Sequence, residues 1–194
     1  GYIIGAAQNT VIKTDSTGLI QWYQKLSYSV AHYVEDVIQT SDGDYIVVGG
    51  VGGDPIGGHA VQGKAFILRM SEGGGVQWIK RYGILNTPMN SFWGVVEADD
   101  GGFALAGEKL EDRNFEFYDH FWVMKTDANG DEEWSIESGG NKWDEARDIV
   151  KLSDGSFIVA GKISLSSTNI NMRVMRISSS GDILWQNNHG NNNY

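Results

Sequence analysis

"KTDSTGLIQW" (Lys13 to Trp22) returns three times along the chain, as "RMSEGGGVQW" (Arg69 to Trp78), "KTDANGDEEW" (Lys125 to Trp134) and "RISSSGDILW" (Arg176 to Trp185). Each copy ends an apolar run, turns through small polar residues, and reaches Trp four residues after a Gly. The four Trp residues are 56, 56 and 51 positions apart. A second marker keeps the same phase: Asp-Gly at Asp42-Gly43, Asp100-Gly101 and Asp154-Gly155, each followed by a short apolar run ending in Gly ("DYIVVGG", "GFALAGE", "SFIVAGK"). The opening "GYIIGA" fits that slot too. Two markers in one phase establish an internal repeat, and a repeat of this length decides the fold class before any single element is read.

One unit reads as four strands. In the third copy these are "NSFWGVVEA" (Asn90 to Ala98), "FALAGE" (Phe103 to Glu108), "FWVMKT" (Phe121 to Thr126) and "EWSIES" (Glu133 to Ser138). Short runs rich in Val, Ile, Phe and Ala between Gly, Asp, Asn and Ser are buried strands between turns. "KWDEARDIVKL" (Lys142 to Leu152) is the nearest approach to a helical period, and its repeat partners "HYVEDVIQT" and "SFWGVVEA" favour a strand. Tandem four-stranded units of this size predict an all-β chain, a β-propeller of antiparallel blades that bury their faces on one another. A β-solenoid is the second reading. Residues 1–194 are expected to form a single propeller or propeller segment, with blades at approximately 1–27 (partial), 33–82, 90–138 and 144–189. Four repeats are visible with one inner strand missing. Completion by further blades, or by self-association across the cut edge, is expected.

Composition narrows the function. Of 194 residues 26 are Gly and 2 are Pro, which fits many tight turns. The net charge of −10 disfavours binding to a phosphate backbone, so no nucleic-acid partner is expected. The absence of Cys removes disulfides, thiolate catalysis and Cys-based zinc sites. No run approaches the roughly 18 apolar residues of a membrane-spanning helix. "GYIIGAAQ" lacks a basic leading segment and does not read as a signal peptide.

In the repeated turn, Asp and Ser side chains accept from nearby amides, Gly supplies positive φ, and the Trp opens the fourth strand. Asp-x-(Thr/Asn)-Gly-x-x-x-Trp resembles the tryptophan-docking motif of quinoprotein-type (PQQ-like) propellers, whose usual spacing is one residue longer before the Gly. It is also similar to the Asp-box turn of sialidase-like propellers, which has a shorter Gly-to-Trp spacing. "TSDGDYIVVGG", "FWVMKTDANGDEEW" and "VQWIKRYG" look most like tandem repeats of exported bacterial and archaeal surface proteins. The resemblance covers essentially the whole chain. It implies a blade-docking role for Trp22, Trp78, Trp134 and Trp185, and a turn-closing role for Asp15 and Asp127 only, with Glu72 and Ser179 in the equivalent region of the other copies. It implies a prokaryotic secreted or cell-surface protein.

Candidate site residues follow. "DANGDEE" places Asp127, Asn129 and Asp131 at alternate positions, an oxygen-rich loop that suits Ca2+, although a structural turn explains it as well. The variable loops are "VGGDPIGGHAVQGKA" (Val51 to Ala65) and "KLEDRNFEFYDH" (Lys109 to His120). The second carries Arg113, Tyr118 and His120, a mix fit for sugar or protein contacts, or else a longer strand pair. Trp93 and Trp143 lie near the starts of first strands, where they stack a sugar or serve packing. His32, His59, His120 and His189 share no spacing, and no metalloprotease, serine-hydrolase or phosphate-loop motif is present. Asp36, Asp144, Glu145 and Asp148 lie on or near first strands, where a carboxylate pair would suit glycoside hydrolysis. The expectation is a non-catalytic module for adhesion or surface assembly, with a protein or surface glycan as partner, no catalytic residues and no cofactor beyond the Ca2+ candidate. The alternative is a carbohydrate-binding or glycoside-hydrolysing propeller.

Overall fold

Alternation along the chain translates directly into sheet faces. In β14 (Asn169–Ile177) residues 171, 173, 175 and 177 are buried, while 170 and 172 are exposed and 174 and 176 half-buried. That period of two is what an extended chain with one covered face requires. The computed structural model describes residues 1–6, 9–26, 32–51, 63–83, 90–113, 116–139, 144–166 and 169–190. Among them every regular element is a strand and every pairing is antiparallel.

The strands follow one another as meanders. The first is β1 (Tyr2–Ala6), β2 (Thr10–Thr14) and β3 (Ile20–Lys25). The second is β4 (His32–Gln39), β5 (Tyr45–Val51), β6 (Lys64–Met70) and β7 (Val76–Tyr82). The third is β8 (Ser91–Glu97), β9 (Phe103–Arg113), β10 (Glu116–Thr126) and β11 (Glu132–Gly139). The fourth is β12 (Glu145–Lys151), β13 (Phe157–Ser166), β14 and β15 (Ile183–His189). Contacts divide the chain into two units, Gly1–Phe92 and Trp93–Tyr194.

In the first unit, β1 lies against β4, and the two meanders share a core. Val11, Tyr45, Val47, Val51, Phe66, Leu68 and Met70 are buried there, with Ile3, Trp22, Val34, Val37 and Ile79 packed around them. In the second unit, β9 and β10 lie against β12. Ala98, Ala104, Ala106, Phe121 and Val123 of the third meander meet Ala146, Ile149, Phe157, Val159, Met175 and Ile177 of the fourth.

Irregularities recur at fixed places. The pairing of third with fourth strand slips by one residue at Lys13/Thr14, Arg69/Met70, Lys125/Thr126 and Arg176/Ile177. The pairing of first with second strand slips at Val34/Asp36 and at Ala146/Asp148. These bulges bend the sheet and re-aim side chains at equivalent points of each repeat. "KLEDRNFEFYDH" is largely strand: the β9–β10 pairing continues outward to Arg113 opposite Glu116. "ARDIVK" within the helix-like stretch belongs to β12.

Candidate functional site

The repeated turn is built the same way in all four copies. The Gly N–H bonds back to the turn's first carbonyl: Gly18 to Asp15, Gly74 to Ser71, Gly130 to Asp127 and Gly181 to Ser178. These glycines have φ between 80° and 91°, a left-handed conformation that a Cβ disfavours. The first turn residue then closes the loop with its side chain. Asp15 Oδ1 accepts from the N–H of Thr17 at 2.8 Å and of Leu19 at 3.0 Å, and Asp127 Oδ1 accepts from Asn129 and Asp131 at 2.8 Å each. Ser71 Oγ and Ser178 Oγ do the same for the N–H of Gly75 and Asp182. The equivalents of Asp15 and Asp127 are therefore Ser71 and Ser178, and Glu72 and Ser179 stand one position further on. A hydroxyl replaces a carboxylate at this point, as Asx- and ST-turns permit. Hydrogen bonds, from the Thr17 hydroxyl first, hold the Asp15 carboxyl below the usual carboxylate range.

The following Trp reaches from one meander to the next. Trp22 Nε1 donates to the Glu72 carbonyl at 3.1 Å, and a Cβ placed on Gly74 would lie 3.0 Å from Trp22 Cδ2 and Cε3. Trp134 Nε1 donates to the Ser179 carbonyl at 3.0 Å, and a Cβ on Gly181 would lie 2.9 Å from Trp134 Cδ2. Each indole also meets an aromatic of its neighbour, Tyr45 at 5.8 Å and Phe157 at 6.4 Å between ring centroids. The carbonyl and the Gly sit at identical turn positions in both joints. Trp78 is half-buried on β7, and Trp185 is exposed on β15.

A feature missed in the sequence is the basic residue that opens each copy. Arg69 pairs with Asp42 and, at 2.9 Å, Asp44; Lys125 Nζ contacts Asp100 at 2.8 Å and Glu133 at 2.7 Å; Arg176 pairs with Asp154. The base on the third strand thus anchors the Asp of the Asp-Gly corner. Lys13, in the copy without that corner, donates to Thr14 O and Gln21 instead. The signal was present: Lys or Arg begins all four quoted stretches.

The acids of the first strands divide by role. Asp36 Oδ1 and Asp148 Oδ1 accept from the N–H of Val37 and Ile149, closing the equivalent bulges. Asp144 is buried and accepts from the Ser164 N–H at 2.5 Å. Glu145 is buried between Lys162, at 2.6 Å, and Arg147. Arg147 also covers a face of Trp93, with its guanidinium carbon 4.1 Å from the ring centroid. Glu108 of β9 joins this cluster. Burial first, then the carboxylates of Glu145 and Asp119, push its carboxyl up to about 7, against the pull of Arg147 and Lys162. Glu108 went unnoticed in the sequence because β9 gives no local sign that β12 will lie against it.

The remaining candidates separate. Tyr118 Oη donates to Glu116 at 2.8 Å, and His120 Nε2 lies 3.1 Å from Glu111 Oε2, both on the β9–β10 ribbon. Arg113 ends β9, with its side chain outside the described residues. Trp143, His59 and most of the Val51–Ala65 loop also lie outside them. Asp127 Oδ2 is 3.3 Å from Asn129 Nδ2, so both carboxylate oxygens turn into the loop. Among the described residues no group of three or more His, Asp or Glu is placed to hold a metal. Nor is any helix long and apolar enough to cross a membrane.

No protein-family profile matches the chain, and no curated protein matches it. Among solved structures it is similar to a crystal structure of a eukaryotic initiation factor. The identity is 8% and the TM-score 0.28, over 95% of this chain and 61% of that one, so the chain spans about three-fifths of that structure's length. A likeness at that score carries no argument about fold or function.

Proposed function

We propose that this chain is a β-propeller module of an exported or cell-surface protein, a non-catalytic scaffold for adhesion or surface assembly. One observation carries the reading: the same Trp-to-turn joint links successive meanders in both units, with its hydrogen bond and Gly contact at identical positions. A motif used once per repeat to hold sheets together is an architectural part, and its residues are consumed by that task. Each meander is a blade. The repeat resemblance to exported prokaryotic surface proteins supplies the location, and a protein or surface glycan is the partner class.

The glycan-processing alternative rests on Glu108 and Glu145, two buried carboxyls in one cluster, of which Glu108 is raised to about 7, the range a general acid needs. It is the weaker reading. Both side chains are buried, and Arg147 covers the aromatic face that would receive a sugar ring. An experimental structure with four-stranded blades about a common axis supports the propeller; any other arrangement of the meanders refutes it. A panel of glycoside substrates tests the chemistry: turnover that disappears in Glu108→Gln would replace the scaffold reading with the enzymatic one. Fractionation of the native cells, probed with an antibody, tests location, and a protein found only in the cytoplasm refutes export.

A further inference from the structure

Four dipeptides in the chain join an acid or its amide to glycine. Asp42-Gly43, Asp100-Gly101 and Asp154-Gly155 form the corners between first and second strands, and Asn129-Gly130 lies in the third copy of the repeated turn. Such pairs share one reaction. The glycine nitrogen, unshielded by a side chain, attacks the preceding side-chain carbonyl carbon and closes a five-membered succinimide. The reaction needs a leaving group on that carbon and a nitrogen that can turn towards it.

The fold withholds the leaving group from the three aspartates, because a carboxylate must be protonated before it can lose water. The Thr40 hydroxyl at 2.6 Å, and Arg69 with it, keep Asp42 ionised. Burial raises Asp100, but Lys125 at 2.8 Å and the Gly102 N–H at 2.9 Å outweigh it. Ser156, through its hydroxyl at 2.6 Å and its N–H at 3.1 Å, and then Arg176 do the same for Asp154. All three carboxyls lie below the usual carboxylate range.

Asn129 differs, since a carboxamide loses ammonia without first being protonated, which makes asparagine thermolabile. Its side chain is exposed and makes one hydrogen bond among the described residues, from Nδ2 to Asp127 Oδ2 at 3.3 Å. What restrains it is the turn. The Gly130 N–H points to the Asp127 carbonyl at 3.1 Å, and Asp127 Oδ1 holds the N–H groups of Asn129 and Asp131 at 2.8 Å each. While the turn is closed, the nucleophile is engaged by Asp127. The turn does not require an amide at this position, where the other copies have Thr17, Gly73 and Ser180.

We infer that Asn129 is a site of spontaneous covalent modification, converted through a succinimide to aspartate and isoaspartate, with Asp127 as the latch that sets how fast. When the turn opens, the Gly130 nitrogen gives its proton to solvent base and bonds to Asn129 Cγ. The Cγ–Nδ2 bond breaks and ammonia leaves. Water then opens the imide at one of its two carbonyls. Attack at Cγ gives aspartate. Attack at the former backbone carbonyl gives isoaspartate, whose main chain carries one extra methylene. Either product adds a negative charge beside Asp127 in a chain of net charge −10. The extra methylene also displaces Gly130 from the place where its N–H reaches Asp127, so the corner between β10 and β11 loosens with age.

The test ages the full chain in mildly alkaline buffer, followed by charge-variant chromatography and peptide mapping. An acidic variant is expected to grow, with ammonia released to match, and its peptides to carry aspartate and isoaspartate at position 129. Chain unfolded in guanidinium is expected to react faster. Asp127→Ala is expected to speed the native reaction about fivefold, the scale of one lost hydrogen bond. Asp127→Asn, which keeps an acceptor, is expected to fall between, and circular dichroism shows that each variant keeps the fold. Asn129→Thr is expected to abolish the acidic variant. The isolated acidic form is expected to unfold at lower denaturant than fresh protein. Loss of another asparagine before Asn129, isomerisation of Asp42, Asp100 or Asp154 at the same rate, or folded Asp127 variants that age like wild type each overturn the inference.

Discussion

Three of the four turn glycines, Gly18 against Gly74 and Gly181, differ in what lies over them, which turns a joint into a measurable quantity. Gly18, Gly74 and Gly181 have φ of 88°, 87° and 91°. An Ala at any of them bears the same left-handed backbone cost, about 1–2 kcal/mol. At Gly18 that is the whole effect, because the Cβ enters open space. At Gly74 it would lie 3.0 Å from the Trp22 ring, and at Gly181 2.9 Å from the Trp134 ring, so the indole must give way. Moving it strains its packing on Tyr45 or Phe157 and stretches its bond to the Glu72 or Ser179 carbonyl. Overpacking of this kind adds about 1–3 kcal/mol. At about 2–4 °C per kcal/mol for a chain of this size, Gly18→Ala lowers the midpoint by a few degrees, and the other two by about twice as much. The assay is thermal and urea unfolding of dilute protein. A double-mutant cycle completes it: once Trp134→Ala has removed the ring, Gly181→Ala is expected to cost no more than Gly18→Ala. Three equal costs, or additive effects of Trp134→Ala and Gly181→Ala, would refute the claim that Trp and turn form one joint.

The buried cluster of the second unit responds to pH. Glu108 is half-protonated at about 7 in the folded chain, against 4.5 without its surroundings, so the folded state holds a proton that the unfolded state releases. Stability therefore falls as pH rises from about 4.5 to about 7 and levels off above, by about 3 kcal/mol in total. Glu108→Gln carries no charge and is expected to be flat across that window and more stable than wild type at pH 8; unfolding at a series of pH values decides. At the first turn residue, Asp127→Ala strands two N–H groups and costs about 1 kcal/mol, whereas Asp127→Asn keeps an acceptor and costs less. Calcium and chelator are expected to leave the wild-type midpoint unchanged; a calcium-dependent rise lost in Asp127→Asn would make the turn a metal loop. Lys125→Met is expected to cost about 1–3 kcal/mol: the side chain is buried and the variant strands the Thr126 carbonyl that Nζ reaches at 3.0 Å, while Asp100 and Glu133 are largely exposed and rehydrate. No loss in urea unfolding would mean that the Thr126 carbonyl finds another partner.

How much of this was legible in the sequence depended on whether a feature recurs. The strands could be read because their alternation and their Gly-rich corners return four times, and the Trp-to-Gly spacing marked the turns that connect them. Glu72 and Ser179 lie one position beyond the turn-closing residues, Ser71 and Ser178, because the turn asks not for an acid but for any side-chain oxygen that can reach an amide four residues on. Lys13, Arg69, Lys125 and Arg176 recur in plain view. Their purpose was hidden because the Asp that three of them reach lies more than twenty residues away, brought near by strand pairing. Glu108 and Glu145 do not recur at all, and only the stacking of β9 on β12 makes them neighbours. Trp134 and Trp185 show where such reading stops. Both follow a turn of the same geometry, yet one indole is seated on a glycine and the other is 40% exposed. The motif specifies the chemistry of a joint. Whether the joint is made depends on a surface that lies outside the motif, as Gly181 and Phe157 do for Trp134.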